Sequence, residues 1–229
     1  MFQRSFITGI ILVWFWAVPV YGGCMAEDPW NVALLNTAAN ADYLSNEEKQ
    51  VIFEINKLRS NPVEYAKACL EPLLTMYKGK KLYFPGDDPI LTKEGIIALK
   101  DAIFYLQKCK PVTLLVPDLR LFKAARDHMA DQARTGKTGH EGSSGSNAQS
   151  RIRKYGDWDK AMGENIFYGE SDARAVVLHL VIDDGTFSRG HRKNLLDKDY
   201  RLVGVATGKH PAWRNICVIT FADAFKIDH

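Results

Sequence analysis

The order of its hydrophobic periods is what most narrows the folds open to this chain: apolar residues recur at helical spacing through most of its length, and long β-branched runs come only near the end. Ser45-Asn-Glu-Glu48 is a capping box, a hydroxyl that satisfies the first free amides of a helix and a carboxylate three residues on that answers it. Val51, Ile52, Ile55 and Leu58 follow on one stripe, with Lys49, Glu54 and Lys57 outside it. Asn61-Pro62 ends that helix and starts another toward Leu70, with Pro62 in the first turn where its missing N–H costs nothing. Thr92 precedes a helix carrying Ile96, Leu99, Ile103 and Leu106 on one side. Pro117-Asp118 introduces another to about Thr135, whose inner positions Leu121, Ala124, Ala125, Met129 and Ala133 are mostly small and suit close approach to a sheet. Ser171 caps a helix with Ala173, Val176, Val177 and Leu180, which Gly185 ends. Residues 166–168 are a short strand candidate, and 202–206 and 215–222 read as two strands joined through Gly208 and Pro211. Helices first and strands late predict an α+β fold with an antiparallel sheet.

The front of the chain follows a different pattern. Arg4 is followed by an uncharged run from Ser5 to Ala26, with an apolar heart at 6–20 and a small-residue exit, so residues 1–26 read as a secretory signal peptide. That heart is shorter than the ~20 residues of a spanning helix, and Pro19 breaks its end. Gly23-Cys24 also raises lipidation of Cys24, so a membrane attachment is expected only if Cys24 is lipidated or the segment stays uncleaved. The protein is expected to be secreted or in the cell envelope, where disulfides persist. Of the remaining thiols, Cys69 and Cys109 are candidates for a bridge; the alternative is that Cys69, Cys109 and Cys217 are three small buried hydrophobes. Residues 27–44 read as a flexible segment and 45–229 as a single domain. Lys78 to Pro89, with Gly79, Pro85, Gly86 and two Asp, reads as a surface loop. The 30 Lys+Arg against 27 Asp+Glu contain no basic block, which excludes nucleic-acid binding through a phosphate-neutralising stripe.

Between residues 136 and 150 the chain becomes too polar and Gly/Ser-rich for a core element, and His140 stands in its midst. Four short segments of the second half combine Gly with metal-capable side chains: Thr138-Gly-His140, Gly163-Glu164-Asn165, Ile182-Asp183-Asp184-Gly185 and Gly190-His191-Arg192. Glycine beside each polar residue points to unusual backbone dihedrals or close packing there. Together with Asn56-Lys-Leu-Arg59, Val203-Gly204-Val205 and Val218-Ile-Thr-Phe221-Ala222, and in this order, they make the tract from about residue 46 to 225 resemble the CAP superfamily. That is the domain of cysteine-rich secretory proteins, antigen 5 and pathogenesis-related 1 proteins (the SCP domain), and the likeness is to its cysteine-poor microbial branch. The resemblance implies a three-layer α/β/α sandwich with a central antiparallel sheet and a large cleft lined by two His and two acids. These positions fall on His140, Glu164 and His191. The second acid falls on Asp183, with Asp184 as the alternative, because Leu180 stands where the family usually has a Trp three residues before a Glu. Against compact members of the family, residues 62–115 are a helical insertion, either a lid over the cleft or an elaboration of one helical layer; the stripe from Ile96 to Leu106 favours packing.

Two imidazoles with carboxylates nearby suit a divalent ion such as Zn, with His140 and His191 as ligands, and a hydrolase built on them would use Glu164 as general base. The chain has no His-Glu-x-x-His helix and no Gly-x-Ser-x-Gly nucleophile elbow, and Ser188 near His191 is the candidate nucleophile that remains. Members of the family bind sterols, fatty acids or protein partners. The reading is therefore an exported, non-catalytic binding module for a small apolar ligand such as a lipid, or for an extracellular protein; the alternative is a metal-dependent hydrolase or protease using the same tetrad. His179 is expected to be packed and Arg192-Lys193 to be a solvated turn. Asn165 and Asn194 are expected to hold loops through backbone hydrogen bonds, while Tyr155, Trp158 and Tyr168 flank the cleft segments.

Overall fold

The computed structural model describes residues 30–84 and 89–226, so the signal-peptide reading of 1–26 lies outside the described residues. In chain order the helices are α1 (Val32–Leu35), α2 (Asn46–Ser60), α3 (Pro62–Tyr65), α4 (Ile96–Leu106), α5 (Leu119–Thr135), α6 (Ala148–Arg153), α7 (Ala173–Ile182) and α8 (Gly190–Leu195). The strands are β1 (Tyr77–Lys78), β2 (Lys81–Leu82), β3 (Ile90–Leu91), β4 (Val116–Pro117), β5 (Met162–Tyr168), β6 (Leu202–His210) and β7 (Arg214–Ala222). The fold is α+β, with a main sheet in the order β4-β6-β7-β5. Its long pairs, β5 with β7 and β6 with β7, are antiparallel, and only the two-residue β4 runs parallel to β6.

Neighbouring residues of β5 show the three layers. Phe167 stacks on His179 of α7, with ring centres 5.1 Å apart, while Tyr168, pointing to the opposite face as strand geometry requires, gives its hydroxyl to Gln132 of α5 at 2.7 Å. Helix α5 lies on one face through Leu121, Ala124 and Ala125, all fully buried. Its approach is close enough that a Cβ on Gly204 of β6 would sit inside the backbone of Leu121 and Phe122. On the other face α2 and α7 pack together, and α4 packs outside α7. The stripe Val51, Ile52, Ile55 and Leu58 is fully buried, and the capping box at Ser45 and Glu48 closes as the sequence predicts, with bonds of 2.8 and 3.2 Å.

Several expectations are overturned. The stretch read as flexible, 27–44, is packed from Trp30 onward: Trp30, Leu35, Ala38, Ala41 and Leu44 are buried. The Trp30 indole donates to the Lys57 carbonyl, and Asn56 donates to the Leu35 carbonyl, which ties the stretch to α2. Isolated apolar residues without a helical period carried no signal for this docking. Glu54 and Lys57 are not outside but buried, because Tyr65 donates to Glu54 at 2.9 Å and the Lys57 ammonium lies over the Trp30 ring. Of the stretch read as a surface loop from Lys78 to Pro89, Lys78, Lys81 and Leu82 belong to a small antiparallel sheet, β1-β2-β3, with pairs such as Leu82 with Ile90. Arg192 is not a solvated turn: it is 1% exposed and donates to the Val181 and Ile182 carbonyls and to Asp101. Cys69, Cys109 and Cys217 are all free, with Cys69 and Cys217 buried.

Candidate functional site

Each of the four cleft residues is held by a different element. Asn56 and Arg59 of α2 secure the frame. Asn56 exchanges both bonds with the Leu115 backbone, and the fully buried Arg59 donates to the carbonyls of Thr113, Leu195 and Tyr200. A main-chain carbonyl in a low-dielectric core is otherwise costly to bury, so a guanidinium that serves three of them pins the ends of three segments at once.

His140 follows the left-handed Gly136, which caps α5, and Gly139, whose φ of +97° suits glycine. The Gly139 amide donates to the Tyr168 hydroxyl at 2.8 Å, and its carbonyl accepts from Gln132. The His140 ring is 56% exposed, and its Nδ1 lies 2.9 Å from Oε1 of Glu164. Glu164, on β5, is buried and also accepts from Arg151 of α6 at 2.8 and 2.9 Å. Burial alone would raise the Glu164 carboxyl, but the His140 bond and the Arg151 charge outweigh it and hold it below the usual carboxylate range. Arg151 donates as well to the His140 carbonyl, so one buried cation fixes both the acid and the loop that carries its imidazole.

Asp183 is the residue after α7, in the left-handed region at φ +55°, a conformation that Asp tolerates better than most side chains. There its short side chain reaches the start of α8. Oδ2 accepts from the His191 amide at 2.9 Å, and Oδ1 lies 2.7 Å from His191 Nδ1. Burial would raise this carboxyl too, and the His191 bond and charge reverse the direction. Asp184 turns away and accepts the amides of Lys93 and Glu94 at 2.6 and 2.8 Å, so the structure separates the two candidates for the second acid: Asp183 meets His191 and Asp184 meets the insertion.

The two imidazoles face each other with ring centres 6.5 Å apart. With each Nδ1 committed to a carboxylate, Nε2 is the nitrogen left for a ligand, the arrangement in which a carboxylate orients a metal-binding imidazole from behind. Two imidazoles sharing an ion at Zn–N bonds of about 2.1 Å have ring centres within roughly 6 Å, somewhat closer than these two. Among the described residues no group of three or more His, Cys, Asp or Glu is placed to hold an ion, so an ion here would find at most these two nitrogens as protein donors. Asn165 and Asn194 hold the site as expected, Asn165 donating to the His191 carbonyl and Asn194 to the Glu164 carbonyl.

Beside this tetrad runs an open groove of about 450 Å³. His191 and Asp183 lie at its polar end. Phe167, Tyr168 and Trp213 form one wall, and Tyr77, Ile90 and Leu91 of the small sheet form the other. Tyr155 and Trp158 pack instead with Ile152 and Leu121, away from it. His179 is packed, as expected, and burial lowers its basicity. Ser188 is exposed and makes no bond to His191, whose Nδ1 is taken by Asp183. The insertion is clamped to the tetrad loop: Glu94 receives two bonds of 2.7 Å from Arg189, and Asp101 receives Arg189 at 3.1 Å and Arg192 at 2.9 Å. Arg151, Glu94 and Arg189 escape sequence reasoning because their only local signal is a charge, and most charges are solvated.

The family model for the cysteine-rich secretory protein family, CAP, matches residues 53–221. No curated protein matches the chain in sequence. Among solved structures, an extracellular protein containing an SCP domain from Bacillus anthracis str. Ames is similar at 25% identity and a TM-score of 0.41, over 48% of this chain and 34% of that one. The chain thus spans about a third of that protein's length. An outer surface protein from Borrelia burgdorferi is similar at 18% identity and a TM-score of 0.42, over 56% of this chain and 90% of that one. A structure of NaASP2 with Zn2+ is similar at 16% identity and a TM-score of 0.40, over 80% of this chain and 83% of that one.

Proposed function

Because the chain belongs to the CAP, or cysteine-rich secretory protein, family, we propose that it is an exported binding module that captures a ligand in the groove beside the tetrad without turning it over, and that His140 and His191 can take up a divalent ion such as Zn. The observation that carries this reading is the pairing of each imidazole with its own buried carboxylate through Nδ1, with the two ring centres 6.5 Å apart. The bound ion would supply a Lewis-acidic anchor for a ligand oxygen or side chain. Export is supported by the signal-like residues 1–26, and among the described residues no helix is long and apolar enough to cross a membrane.

The hydrolase alternative is weakened by the same geometry. A general base works best with a pKa near the working pH, whereas Glu164 is held low by His140 and Arg151. Among the described residues the hydrogen-bond partners of the two rings are Glu164 and Asp183, and Ser188, the candidate nucleophile, is exposed and not bonded to His191. The test is calorimetric titration of the full mature chain with ZnCl2, run beside the His140→Ala/His191→Ala variant, with peptide and ester hydrolysis assayed in parallel. We expect saturable zinc binding that the double variant abolishes, and no hydrolysis that depends on Glu164. Identical titrations for the two proteins would remove the metal; turnover lost in Glu164→Gln would remove the non-catalytic reading.

A further inference from the structure

The groove lies between two strand edges. β5 is the last strand of the main sheet and β3 the last strand of the small one, and residues of both line the groove. The hydrogen-bond parity of β5 can be read directly. Gly169 donates to Asn215 on the β7 side, so residues 165 and 167 face β7 as well, and the Glu164 carbonyl accepts from Asn194 on the opposite side. Residues 166 and 168 therefore turn their N–H and C=O groups away from β7, and among the described residues none of these four groups has a hydrogen-bond partner. On the far wall, Thr92 donates to Lys80 within the small sheet, which turns the Leu91 amide and carbonyl outward. The groove is rimmed by exposed apolar side chains from both walls, Leu91 at 75% and Trp213 at 52% exposure.

We propose that the groove is a peptide site, in which an extended polypeptide segment adds to the β5 edge at residues 166 and 168 as a fifth strand of the main sheet. The complementarity is specific. A strand edge offers a donor and an acceptor at every second residue, and another extended backbone is the ligand that matches that spacing. An acyl chain or sterol in the same space would cover the four backbone groups without answering them, and a buried unpaired donor or acceptor is costly. Helix α8, held against β5 through Asn165 and Asn194, closes the edge beyond residue 164, so the added strand is short and its register is set at one end. Side chains at alternate positions of that strand lie against Leu91 and Trp213, which calls for apolar or aromatic residues there.

This inference rests on the groove being the binding site, but it does not require the metal. The probe is a library of random seven-residue peptides displayed on phage and panned against the full mature chain, with the selected peptides then synthesised. We expect an alternating apolar pattern among them. In a scan of single backbone N-methylations, methyl groups at every second position should weaken binding at least tenfold and those between should leave it within about threefold, while amide exchange at residues 166 and 168 slows in the complex. Ile166→Pro, which removes an outward N–H together with a buried side chain, should weaken binding by a similar factor in a protein that still melts cooperatively. Failure to select any peptide, or an N-methyl scan without alternation, overturns the proposal. A normal zinc titration in the same preparation shows that this inference, and not the wider binding reading, has failed.

Discussion

At the scale of single residues, the cleft depends on charges that are buried and answered. Arg151 is 5% exposed and Glu164 is 8%, and the pair is shared with His140. Removing one member of such a pair leaves the other uncompensated, which costs about 3–5 kcal/mol, whereas removing both is much milder. Arg151→Met should therefore lower unfolding stability by about that amount in urea titrations, and adding Glu164→Gln should restore most of it; a single variant within about 1 kcal/mol of the parent would contradict the role given to Arg151. His140, Glu164 and His191 were legible in the sequence because each stands beside a glycine in a motif. Arg151 was not, since nothing in a sequence distinguishes a buried guanidinium from a solvated one until the partner carboxylate, 13 residues away, is placed beside it. The choice between Asp183 and Asp184 was open for a related reason: adjacent carboxylates differ only in direction, and the left-handed turn at Asp183 supplies it.

At the scale of elements, the insertion is joined to the tetrad loop by ions as well as by packing. Glu94 binds Arg189 through both oxygens and accepts the Gly185 amide at 2.6 Å. The Arg189 hydrogen bond, foremost, pulls the Glu94 carboxyl down to about 2 in the folded protein. The unfolded chain then takes up that proton first, so the clamp contributes fully above the ordinary carboxylate range near 4.5 and is lost as pH falls from there toward about 2. Proteolytic susceptibility of residues 77–106 should rise over that window, and Glu94→Gln should show the raised susceptibility already at pH 7 with a flatter acid limb. An unchanged profile in the variant would assign the acid sensitivity elsewhere. The α4 stripe was legible from its period, and Leu99, Ile103 and Leu106 are buried as expected. The β1-β2-β3 sheet was hidden because its strands are two residues each, too short for any alternation to register.

At the scale of the whole molecule, the insertion is both a packed layer and a groove wall. Its helix α4 is clamped to α7 and α8, and its small sheet faces β5 across the groove. Deleting residues 62–115 would remove the buried Tyr65, Leu70, Leu99 and Leu106, uncover the apolar surfaces they pack on and leave Arg192 without Asp101. The shortened chain should therefore lose its cooperative thermal transition and near-ultraviolet circular dichroism. A folded, soluble deletion variant would show the insertion to be an appendage. By itself, the sequence determined the α+β class, the helical stripes of α2, α4 and α5 and the caps at Ser45 and Asn61, and it singled out His140 and His191, whose ring centres the structure brings to 6.5 Å, because these follow from local periodicity, local hydrogen bonding and short motifs. Only the tertiary structure decided the docking of residues 30–44, the burial of Arg59, Arg151 and Arg192, the division of labour between Asp183 and Asp184, and the groove between two strand edges. Each of these is set by contacts between segments far apart in the chain, whose energies appear only when folding removes water from both partners at once.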